Sequence, residues 1–103
     1  MWSSLQGRVE ATYQELVAVF GEPNCQTDGY KTDAEWEFNI TGRQTVNIYN
    51  YKNGKNYLGS NGLPVESITT WNIGGQTKLA VAYVIGMLGR DIPPETLSFG
   101  NLI

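Results

Sequence analysis

The chain has 103 residues, a net charge of −3, a single cysteine and no histidine. That length suits one domain around one modest core, and no stretch of the sequence approaches the ~18 consecutive apolar residues of a membrane-spanning helix. One cysteine excludes an intrachain disulfide, and the missing imidazole removes Ser-His-Asp and Cys-His catalysis and nearly all zinc sites.

Met1-Trp2-Ser3-Ser4 has neither a basic start nor an apolar run, so no secretory signal is expected and the expected compartment is the cytoplasm. Leu5 to Ala11 alternates loosely and reads as a first strand. Thr12-x-x-Glu15 is a capping box that opens a helix with an apolar stripe of Tyr13, Leu16, Val17 and Phe20. Gly21, as a left-handed cap, and Pro23 end it. After a polar, turn-rich stretch from Asn24 to Lys31, strict alternation from Ala34 to Thr41 puts Trp36, Phe38 and Ile40 on one face. Asp33, Glu35, Glu37 and Asn39 fall on the other. Thr41-Gly42-Arg43 reads as a hairpin turn into a strand over Gln44–Lys52, with Val46 and Ile48 inward and Thr45, Asn47, Tyr49 and Tyr51 outward. Asn53-Gly54 and Asn61-Gly62 mark tight turns. A third alternating stretch, Val65 to Ile73, holds Ile68, Trp71 and Ile73, and Gly74-Gly75-Gln76 is expected to break it. A second helix is predicted from Thr77 to Leu88, with Leu79, Ala80, Tyr83, Val84 and Met87 on one face, capped by Gly89 and stopped by Pro93-Pro94.

The order β-α-β-β-β-α predicts an α+β fold: a two-layer sandwich of about four mostly antiparallel strands and two helices. The whole chain, 1–103, reads as one domain with 90–103 as a C-terminal tail. Leu97, Phe99, Leu102 and Ile103 in that tail need cover, from the domain's own sheet or from a second copy.

Charge is unevenly laid out. Residues 1–40 carry seven acids against Arg8 and Lys31, while residues 41–90 carry Arg43, Lys52, Lys55, Lys78 and Arg90 against Glu66. A basic face of this size can attract a small anion, and duplex nucleic acid calls for a much stronger field. The sequence Trp71-Asn72-Ile73-Gly74-Gly75-Gln76-Thr77-Lys78 reads as strand, glycines, helix start. Free amides of a first helical turn, with Thr77 and Lys78 beside them, form a candidate cradle for phosphate or carboxylate; the plain alternative is a turn capped by Thr77. Tyr49, Asn50, Tyr51, Asn53, Asn56 and Tyr57, with Lys52 and Lys55, are a second candidate, since rings and amides suit a nucleobase, a sugar or a protein interface as readily as a solvated sheet face. Asp33, Glu35 and Glu37 read as the wet side of a strand, ahead of a metal site or an acid pair. No metal and no cofactor is expected, and Cys25 has no neighbouring base in sequence.

Thr12-Tyr13-Gln14-Glu15-Leu16-Val17, Phe20-Gly21-Glu22-Pro23 and Asp28-Gly29-Tyr30-Lys31-Thr32-Asp33-Ala34-Glu35-Trp36, followed by Ile48-Tyr49-Asn50-Tyr51-Lys52 and Trp71-Asn72-Ile73-Gly74-Gly75, resemble small proteins encoded by tailed bacteriophages. The resemblance spans roughly residues 5–85. It brings no catalytic residue and implies a phage or prophage protein acting inside a bacterium, where small non-catalytic phage proteins often block a host defence component. The expected function is therefore a non-enzymatic, anti-defence binding protein that sequesters a nucleotide-like anion. Its phosphates would sit on Gly74, Gly75 and Thr77 near Lys78 or Lys52, and its base on Tyr49, Tyr51 or Trp71. The alternative is a protein–protein inhibitor of a host protein. A homodimer is expected, because the apolar tail and the aromatic middle segment both need cover.

Overall fold

Thr12 sets the direction of the first helix. Its hydroxyl accepts a hydrogen bond from the Glu15 N–H at 3.0 Å, and the Glu15 carboxylate accepts one from the Thr12 N–H at 2.8 Å. This reciprocal cap satisfies two amides that the helix itself leaves free. In this computed structural model, which describes residues 3–97, the helix α1 runs Tyr13–Phe20 and ends on Gly21 with φ +84° and ψ −174°. That is a positive-φ exit with extended ψ, in place of the left-handed cap expected, and it suits glycine alone.

Four strands, β1 (Ser4–Glu10), β2 (Glu35–Thr41), β3 (Gln44–Tyr49) and β4 (Thr70–Gly75), form one sheet in the order β1-β4-β3-β2. Every neighbouring pair is antiparallel. The register lines Gly7, Ile73, Ile48 and Trp36 across the inner face, with Val9 opposite Trp71 in the next inward row. Leu16 of α1 and Ala80, Val81 and Val84 of α3 (Leu79–Met87) close over this face. Trp36 and Trp71 meet edge to face, centroids 5.5 Å apart at 77°. Both indoles are fully buried, and each N–H finds a carbonyl: Gly21 for Trp36 at 2.7 Å and Ala11 for Trp71 at 2.9 Å. A buried indole N–H without a partner would be costly, so these bonds fix how α1 leaves and β1 enters the core. The fold is the two-layer α+β sandwich that the sequence predicts.

Several boundaries differ. The strand β3 stops at Tyr49, three residues before the predicted end, because Asn50 turns inward. The predicted polar loop contains a one-turn helix, α2 (Lys55–Leu58), so there are three helices among the described residues. The stretch from Val65 begins as a 3-10 turn (Val65–Ser67), and β4 starts only at Thr70. Gly74 and Gly75 do not break that strand but finish it. The helix α3 begins at Leu79, two residues after the predicted start, and Met87 is 47% exposed instead of facing the core. α3 is apolar nearly all round, so periodicity alone does not choose its buried face; close packing against Gly75 does. Among the described residues no helix is long and apolar enough to cross a membrane. The side chains of Leu97, Phe99, Leu102 and Ile103, the expected apolar tail, lie outside the described part of the structure.

Candidate functional site

The glycine–helix junction is occupied by the fold itself. Gly74 pairs with Leu5 and Asn47, and Gly75 with Ser4 and Val46, so both glycines sit in a strand flanked on two sides. A Cβ on Gly75 would stand 2.6 Å from the Ala80 Cβ and 3.0 Å from the Thr45 carbonyl oxygen. The bare Cα of Gly75 lets α3 approach the sheet. Gln76 folds back on β3: its side-chain oxygen accepts from the Thr45 N–H at 2.6 Å and its amide donates to the Thr45 hydroxyl at 2.9 Å. The Thr77 hydroxyl accepts from the Leu79 N–H at 3.2 Å and donates to the Gln44 side-chain oxygen at 3.2 Å. Lys78 donates to the Gln6 carbonyl at the bulge in β1. Trp71 lies in the core, and Tyr49 lies on the opposite, open face of the sheet in register with Asn72 and Glu35. Gly74, Gly75, Thr77, Lys78 and Trp71 therefore do not converge on a common opening, and among the described residues no buried side-chain nitrogen or oxygen lacks a hydrogen-bond partner.

Tyr51 and Lys52 belong to a different assembly. The Lys52 ammonium stands 5.2 Å from the Tyr51 ring centroid and 5.4 Å from that of Tyr57. Tyr57 in turn packs on Tyr30, centroids 5.1 Å apart, and the Lys31 ammonium lies 5.9 Å from Tyr30. Leu58 and Leu63, on the segment that carries Tyr57, are exposed as well. These five large side chains, Tyr30, Tyr51, Tyr57, Leu58 and Leu63, are 36–54% exposed and make up five of the seven exposed large apolar side chains among the described residues. Lys55, at the start of α2, is exposed on the same segment. Concentration of this kind marks interaction surfaces more often than isolated exposed residues do.

This lobe rests on a buried polar anchor. Asn50 is fully buried. Its side-chain oxygen accepts from the N–H groups of Asp33 at 2.7 Å and Ala34 at 3.1 Å, and its amide donates to Asp33 at 2.8 Å and Asn53 at 3.0 Å. Asp33 also accepts from the Asn56 N–H at 3.1 Å, tying α2 down. The Lys52 N–H donates to the Lys31 carbonyl at 2.8 Å, which joins the two loops. Asp28 orders the other loop: one of its oxygens accepts from the N–H groups of Tyr30, Lys31 and Thr32 and from the Thr32 hydroxyl, at 2.9–3.2 Å. The Tyr30 N–H bond and the further donors hold the Asp28 carboxyl below its ordinary range. Lys52 is the one non-glycine residue with positive φ (63°) among the described residues. Sequence reasoning found Tyr51, Lys52, Lys55 and Tyr57 but missed Tyr30, Lys31, Leu58 and Leu63. The available signal was Asp28-Gly29, an Asx-turn pattern that orients the residues after it.

The acidic row divides. Asp33 turns to Asn50, whereas Glu35 and Glu37 stay on the open face with Cys25, their ligand atoms all within 4.8 Å of one another. The Asn47 amide donates to Glu35 at 3.2 Å and to Glu37 at 3.3 Å. Burial first, with the neighbouring Glu37 and Asp28 charges adding, raises the Glu35 carboxyl. Burial, then Glu35 and Glu37, raises the Cys25 thiol. An open pocket of about 260 Å³, lined by Asn24, Cys25, Glu37, Phe38 and Asn39, adjoins them. The cluster is a hydrogen-bonded group with a protonated thiol, the reverse of an activated nucleophile.

Comparison with protein-family models, with curated proteins and with solved structures finds no match to this chain.

Proposed function

We propose that the protein is a non-enzymatic binding protein that engages an anionic partner through the lobe formed by Tyr30, Lys31, Tyr51, Lys52, Lys55 and Tyr57. The observation that carries this reading is the conformation of Lys52. A lysine in the left-handed region costs stability that a glycine would not, on the order of 1 kcal/mol. Here that cost places an ammonium between two exposed rings on a rigid support. Residues held in this way cluster at binding surfaces. In this setting a nucleotide-like ligand meets Lys52 and Lys55 with its phosphates and Tyr51 with its base, without the Gly74–Lys78 turn. A second reading, an inhibitor of another protein, is favoured by Leu58 and Leu63, which give the lobe apolar contact area that phosphate recognition does not use. The resemblance to tailed-phage proteins supports a bacterial setting and a defence component as the target in either case.

Lys52→Gly provides the test, because it removes the ammonium while relieving the backbone. Calorimetry against a nucleotide panel, together with capture from bacterial lysate, would be run on the wild type and the variant. The reading expects the partner's affinity to fall about tenfold or more with the melting temperature unchanged or raised. Equal binding by the variant would contradict it.

A further inference from the structure

We infer that the lobe's partner is an acidic polypeptide segment bearing apolar side chains, an inference that rests on the lobe being the contact surface. Three features of the patch select this chemistry over a nucleic-acid strand. First, lysines outnumber carboxylates on the lobe: Lys31, Lys52 and Lys55 stand against Asp28 and Asp33, whose oxygens are engaged by backbone N–H groups and by Asn50. The balance of charge there is positive, and the three ammonium groups are complementary to a few carboxylates. Second, Tyr30 and Tyr57 already touch at 5.1 Å and 47°, and Lys52 stands beside both Tyr51 and Tyr57. No slot is open between Tyr30 and Tyr57 for a base, whereas the ring edges and the lysine ammonium groups remain available to side chains. Third, Leu58, next to Tyr57 in α2, and Leu63, whose N–H bonds the Asn53 carbonyl, are each exposed by more than two-fifths and offer aliphatic surface on the same segment. Such surface is matched by leucine or phenylalanine in a peptide and by nothing on a phosphate backbone. A chain of net charge −3 also repels a polyanion as a whole while three lysines on one lobe attract a short acidic run.

The test is calorimetry with four probes on the full chain: a glutamate-rich peptide carrying leucine and phenylalanine, the same peptide with glutamine in place of glutamate, an oligo-dT of equal charge, and AMP. The inference expects sub-millimolar binding of the acidic peptide, weakened about tenfold by Lys52→Gly and by Lys55→Glu. It also expects weakening by added salt and loss in the glutamine version. Equal binding of the glutamine version would overturn it. Preferential binding of oligo-dT or AMP that Lys52→Gly weakens would overturn the peptide inference and leave the lobe as the binding surface. Probe binding indifferent to both substitutions, or no binding by any probe, would overturn the inference, and indifference to both would count against the lobe as well.

Discussion

Asn50 has no exposed surface, and its side chain makes four hydrogen bonds to the chain around it, two accepted and two donated. Asn50→Ala would leave the Asp33 and Ala34 amides and the Asp33 carboxylate short of partners. It is expected to cost about 2–4 kcal/mol in urea unfolding. The adjacent glycines of β4 make a sharper pair. Gly75→Ala meets Ala80 at 2.6 Å and is expected to destabilise by about 1–3 kcal/mol. Gly74→Ala meets only ordinary contacts, the nearest at 3.5 Å, and should stay within about 1 kcal/mol of the wild type. Equal costs would mean that α3 does not press on Gly75 as described. Cys25, raised by burial and two carboxylates, should alkylate at pH 7 more slowly than free cysteine and catch up only when the chain unfolds. At this scale the sequence was legible where a residue's role is local, as with Thr12 and Glu15. It was opaque for Gly74, Gly75 and Asn50, whose roles depend on segments 5 to 70 residues away that the chain brings beside them.

The strands at the two sheet edges are guarded by side chains from elsewhere. On β1, Lys78 and Arg90, from either end of α3, donate to the Gln6 and Glu10 carbonyls, and Arg90 also pairs with Glu15 at 3.2 Å. On β2, Asn24 exchanges two hydrogen bonds with Glu37 at 2.8 and 3.1 Å, and the Cys25 N–H donates to the Glu35 carbonyl at 3.1 Å. Two bases read from the sequence as free cations thus act as covers for an edge that would otherwise pair with another chain. The pH response divides by element. The Asp28 carboxyl, held low by the loop amides, contributes stability present above about pH 4 and lost as pH falls through its depressed value. Glu35, raised by burial, acts in the opposite sense: its ionisation is a cost above its raised value, relieved as pH falls through it. Relative to Glu35→Gln, the wild type should gain stability as pH falls from neutral through the raised Glu35 value, read as a shift in urea midpoint. No difference between the two would show Glu35 to be solvated as an ordinary carboxylate. Strands with strict alternation and a capped helix were legible as elements. The 50–69 connection was not, because a single helical turn and two 3-10 turns leave no periodicity to read.

Across the whole molecule, the order of elements was enough to name the fold class, because two-faced strands and amphipathic α1 admit few arrangements. The candidate site was half legible. Tyr51, Lys52, Lys55 and Tyr57 are close in sequence, but their neighbours Tyr30 and Lys31 come from a loop brought across by the Asp33–Asn50 anchor and the Lys52–Lys31 backbone bond. The charge asymmetry read along the chain does not survive folding intact: Lys31 joins the later lysines on the lobe, while Lys78 and Arg90 bind β1. What remains is one aromatic, basic lobe on an otherwise acidic domain. Residue-resolved NMR during titration with the glutamate-rich, leucine- and phenylalanine-bearing peptide tests this most directly. The account predicts amide shifts in residues 28–33 and 50–63 that fade in Lys52→Gly. Shifts confined to Trp71–Leu79, or unchanged in the variant, would contradict it.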